Sequence, residues 1–66
     1  MTIKIKEWFR INKWYELYKA YHVQKMSDTG KVVAETEKAF KCEVECLCVS
    51  NFKTFTIWVP KSCVEK

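Results

Sequence analysis

A small all-β fold, five short strands forming a barrel with a short helical insert, is what this sequence predicts. Three observations carry the expectation. An opening stretch alternates apolar with basic residues, a later run places its cysteines on one parity, and Gly and Pro occur once each, where turns are needed. With 66 residues, no internal repeat and no low-complexity tract, the sequence reads as a single domain over 1–66. A chain of that length buries only about 60% of the surface its unfolded form exposes. Three Trp, three Tyr and four Phe let it build a core economically, since each ring brings about 150–250 Å².

The first element is "TIKIKEWFRI", residues 2–11, in which Ile3, Ile5, Phe9 and Ile11 share one parity. Lys4, Lys6 and Arg10 share the other with Trp8, the pattern of a half-buried strand. In "NKWYELYKA", Asn12 can cap a helix, and Ile11, Trp14, Tyr18 and Tyr21 recur at helical spacing, which predicts one or two helical turns. "SDTG", residues 27–30, predicts a tight hairpin with Gly30 at positive φ, joining strands in "YHVQKM" and "KVVAET".

In "KAFKCEVECLC", residues 38–48, Phe40, Cys42, Val44, Cys46 and Cys48 face one way, and Lys41, Glu43 and Glu45 the other. A turn centred on Asn51 and Phe52 would oppose Cys48 to Phe55, Cys46 to Ile57 and Val44 to Val59, all apolar and all on one face. Trp58 then points to the opposite face. Pro60 ends the ladder because it has no N–H, and "PKS" makes a terminal turn. Together these elements describe an SH3-like barrel. The alternative is an α+β arrangement, with residues 12–25 as a full helix over a three-stranded antiparallel sheet.

Several chemistries are disfavoured. On an extended strand Cys42 and Cys46 stand about 13 Å apart, too far to share one ion, and convergence of Cys46, Cys48 and Cys63 with His22 has no C-x-x-C spacing behind it. The cysteines therefore read as core, with Cys63, beyond Pro60, the thiol expected to be exposed. No metal or cofactor is expected. A single histidine, cysteines on the core parity, and Glu43 and Glu45 flanked by Lys41 on a solvent face leave no catalytic residue to assign. Gly30 alone cannot make a phosphate-binding loop. The chain reads as non-enzymatic, with no small-molecule substrate. No apolar stretch is long enough to cross a bilayer, and no h-region follows the first lysines. A cytoplasmic location with reduced thiols and no membrane partner is the resulting expectation.

Charge is unevenly distributed. Residues 1–26 hold six cations against two carboxylates, whereas the remainder holds six against six, so the whole net charge of +4 lies in the first part. Lys4, Lys6, Trp8 and Arg10, projecting from one face of the first strand with Lys13 following, form a candidate nucleic-acid surface. Lysines track phosphates there and a ring stacks on a base. Tyr15, Lys19 and His22, left toward the edge if Trp14, Tyr18 and Tyr21 pack on the sheet, form a candidate protein interface.

Trp8 with Phe9, "TEKA" at residues 36–39, and "WVPKS" at residues 58–62 resemble the recurring parts of small uncharacterised proteins from bacteriophages and mobile elements of Gram-positive bacteria. The resemblance covers chiefly the second half of the chain. It implies a compact β module of mobile-element origin in a bacterial host, and carries no functional residue with it. The function expected is a binding module engaging nucleic acid through the basic first strand. The alternative is a protein-binding inhibitor of a host or defence nucleic-acid-handling protein, similar to anti-CRISPR factors.

Overall fold

The computed structural model describes residues 1–65. Its elements are β1 (Thr2–Ile5), α1 (Glu7–Tyr21), β2 (Val23–Met26), β3 (Thr29–Glu35), β4 (Ala39–Cys48), β5 (Asn51–Pro60), a 3-10 turn (Lys61–Cys63) and β6 (Val64–Glu65). The strands form a six-stranded antiparallel sheet that does not close on itself. β4 is its axis. β5 lies along one edge of β4, while β2 and β3 share the other edge, and β1 and β6 follow beyond β3.

The first strand is shorter than its parity predicts, and the cause is Glu7. Ile3 and Ile5 are buried, but the next position on that parity is a carboxylate. The chain turns at Lys6, whose N–H donates to the Cys63 carbonyl (2.8 Å) and whose own carbonyl accepts from Phe9 and Arg10. Glu7 then occupies the first helical turn, where a negative charge is favoured by the helix dipole. Trp8, Phe9, Arg10 and Ile11, expected on a strand, are therefore helical. Asn12 lies inside the helix rather than capping it, and α1 runs for 15 residues instead of one or two turns. It ends at His22, which takes a left-handed conformation (φ 58°) and donates its N–H to the Tyr18 carbonyl.

The expected hairpin at "SDTG" is replaced by a crossing. β2 and β3 do not pair with each other; each pairs with a different length of β4, Met26 opposite Cys46 and Val32 opposite Cys42. Ser27 continues the seam by donating its N–H to the Glu45 carbonyl (3.0 Å), and the Asp28 carbonyl accepts from Ile5 (2.7 Å). Gly30 has no positive φ. It lies buried in β3 opposite Ile3, where a Cβ would come within 3.0 Å of Cys42 Cβ and 3.3 Å of Val44 Cγ2. Close packing, not turn geometry, is what glycine supplies there.

β4 and β5, ten residues each, form a hairpin whose faces are those the sequence predicts. Its register differs by four residues. The turn is Val49–Ser50, which opposes Cys48 to Asn51, Val44 to Phe55, Cys42 to Ile57 and Phe40 to Val59. A shift of even length leaves every side chain on its face, so Cys42, Val44, Cys46, Cys48 and Val59 are all buried. The core adds Ile3, Ile5, Val23, Met26 and Cys63, with Phe9, Trp14 and Leu17 of α1 packed against it. Cys63, expected to be exposed, is buried because the 3-10 turn after Pro60 folds back and delivers β6 onto β1, Val64 opposite Ile5.

Candidate interaction surface

The helix places apolar residues on two faces. At about 100° per residue, Phe9, Trp14 and Leu17 occupy the side toward the sheet. The Trp14 indole N–H donates to the Val23 carbonyl (2.9 Å), fixing α1 on β2. Trp8, Ile11, Tyr15 and Tyr18, at successive steps of three, four and three, fall within an arc of about 80° on the outer side. Their exposures are 58, 43, 55 and 50%. The expected core stripe of Ile11, Trp14, Tyr18 and Tyr21 is thus corrected. Only Trp14 packs inward, and Tyr21 lies largely exposed with its ring on Phe55 at 5.2 Å.

Of the second predicted set, Tyr15 and Lys19 come together on the helix, with the Lys19 ammonium 4.7 Å from the Tyr15 ring centroid. His22 is exposed just beyond the helix end. Sequence reasoning missed Trp8, Ile11 and Tyr18 as companions of Tyr15. The signal was present, since 8, 11, 15 and 18 repeat the spacing of a helix seam.

The basic set comes together only in part, with Lys4 and Arg10 lining one cleft. Lys4 lies on β1 and approaches Glu65 at 3.8 Å, Lys6 precedes α1, and Trp8, Arg10 and Lys13 sit on the helix rather than the strand. The Arg10 guanidinium reaches the Met26 carbonyl (3.4 Å), and Lys13 pairs with Glu16 at 3.3 Å. A cleft of about 330 Å³ lies between Lys4, Ile5, Glu7, Arg10, Asp28 and Glu65. Asp28 and Glu65 come from the part of the sequence whose charges cancel, so the fold sets carboxylates against the cations of the N-terminal segment.

The four cysteines are free thiols in the core. Burial pushes the Cys42 thiol up, and it pushes Cys46 up to about 11, helped by Cys48 and the Glu45 carboxylate nearby. Such thiols stay protonated at neutral pH, the opposite of an activated nucleophile. Among the described residues, no three His, Cys, Asp or Glu side chains are placed to hold a metal ion, and no helix is long and apolar enough to cross a membrane. Comparison with family models, with curated proteins and with solved structures finds no match.

Proposed function

We propose that the chain is a non-enzymatic binding module that engages a protein partner through the outer stripe of α1. The observation that carries this reading is the helix with a second apolar face. Trp8, Ile11, Tyr15 and Tyr18 are exposed although Phe9, Trp14 and Leu17 already supply the contact with the sheet. Trp and Tyr anchors at helical spacing fit an apolar groove on a partner, with the Lys19 ammonium at the rim. The resemblance to mobile-element proteins suggests the class of partner, a host or defence protein that handles nucleic acid. An SH3-like arrangement is our reading of the sheet: a 3-10 turn leads into a last strand that returns to β1, although β5 and β6 are not paired.

Nucleic-acid binding is the second reading, favoured by the exposed Trp8 ring close to Lys6 in sequence and by the net charge of +4. Capture from a Gram-positive bacterial lysate, half of it treated with nuclease, separates the two. A protein retained in both halves by the wild-type chain and lost with Tyr15→Ala supports the helix stripe. Retention of nucleic acid that weakens steeply with salt and with Lys6→Ala plus Arg10→Ala, with no protein left after nuclease, overturns it in favour of the second reading.

A further inference from the structure

The sheet has a long open edge. Among the described residues, β5 pairs with β4 along its length and with no strand on its other side. The two-residue turn makes Cys48 and Asn51 a hydrogen-bonded pair, so odd positions of β5 direct their N–H and C=O groups to β4. Phe52, Thr54, Thr56 and Trp58 direct theirs to the open edge. Sheet edges are usually blunted by charges, bulges or Pro. Here the ladder to β4 runs without a bulge, Pro60 stands only at its end, and Lys53 near the turn is the single charge in ten residues. The inner side is incompletely covered as well, for Phe55 and Ile57 are only half-buried.

We propose that this edge joins two copies of the chain, β5 pairing antiparallel with β5 about a two-fold axis at Phe55. The choice of a second copy rests on the self-complementarity of the strand. In this register Thr54 faces Thr56, and Phe52 faces Trp58, which turns two exposed rings (69 and 47%) into cross-strand aromatic pairs. All four edge-facing residues use both backbone groups, and Pro60 falls beyond the ladder. On the inner face Phe55 meets Phe55, and Lys53 lies opposite Ile57, so no like charges are opposed and the lysine stem packs on an apolar side chain. Pairing of one strand edge with another is a small interface by the standard of roughly 800 Å² per partner. Association is therefore weak, on the order of 10 μM to 100 μM. Because each copy carries +4, it strengthens with added salt.

Sedimentation equilibrium of the full chain from about 10 μM to 1 mM tests this. The expected mass rises from one chain toward two. Thr54→Lys with Thr56→Lys sets lysine against lysine on exposed positions and weakens dimerisation by at least about tenfold, with an unchanged circular dichroism spectrum. Should the lysine pair fail to fold, Thr54→Cys chains mixed with Thr56→Cys chains decide the matter: in this register oxidation links one variant to the other and neither to itself, and failure to form that mixed dimer overturns the proposal. A single-chain mass at every concentration overturns the proposal. So does a dimer that ignores the lysines, or that yields instead to Tyr15→Ala.

Discussion

The β4–β5 hairpin and α1 are both rich in apolar residues and place them differently. In the hairpin alternation decides which residues face inward: Cys42, Val44, Cys46, Cys48 and Val59 are buried, and Phe40, Phe55 and Ile57 pack half-buried at the margin of the core. In α1 there are more apolar residues than the sheet can cover, and the surplus forms a stripe of its own. A region with one buried face tells how the chain folds. The surplus on α1, like Phe52 and Trp58 on the outer face of β5, is apolar surface that the core does not use.

Four experiments probe that contrast. The largest effect is expected from Cys46 in alkaline solution. Its folded pKa of about 11 lies above the ordinary 9.0, so the folded state keeps a proton that the unfolded chain has released. Stability is complete below pH 9 and declines as the pH rises toward 11, by on the order of 2 kcal/mol. Urea unfolding against pH, compared with Cys46→Ala, checks this, and the variant should have the flatter profile above pH 9.

Gly30→Ala comes next, because the added methyl meets Cys42 and Val44 of β4. We expect a loss of about 1–3 kcal/mol, read as a fall in melting temperature of about 4–8 °C per kcal/mol. A third change goes the other way. Val49, β-branched and at φ 45° in the hairpin turn, stores strain that glycine does not feel. Val49→Gly should stabilise the chain by about 1 kcal/mol in thermal or urea unfolding. Tyr15→Ala, on the outer face of α1, should leave stability within about 0.5 kcal/mol of wild type by the same measurements.

How much of this was legible follows the same division. The faces of Cys42, Val44, Cys46 and Val59 could be read because a period of two has one solution there. The register could not, since shifts of two or four residues preserve those faces and only the turn distinguishes them. Residues 2–11 were misleading because Ile3, Ile5, Phe9 and Ile11 satisfy a strand, while Trp8, Ile11, Tyr15 and Tyr18 satisfy a helix. Glu7, on the core parity, was the residue that decided between them. The β2–β3 crossing depends on β2 pairing with the far end of β4, Met26 opposite Cys46 and Val23 opposite Cys48, and no local signal at "SDTG" encodes it. Of the exposed helix stripe, only Tyr15, with Lys19 beside it, was legible as surface. Strand parity could not anticipate the placement of the basic set, in which Lys4 and Arg10 share a cleft with Asp28 and Glu65 while Trp8 and Lys13 lie on the helix.

The most direct test is an alanine scan along α1, residues 7–21, reading unfolding free energy and affinity for the captured partner on each variant. Two patterns out of phase are predicted. Phe9→Ala, Trp14→Ala and Leu17→Ala should lower stability, whereas Trp8→Ala, Ile11→Ala, Tyr15→Ala and Tyr18→Ala should leave it nearly unchanged and weaken binding, the aromatic positions by about tenfold or more. A single pattern, with affinity falling only where stability falls, would contradict a second working face on this helix.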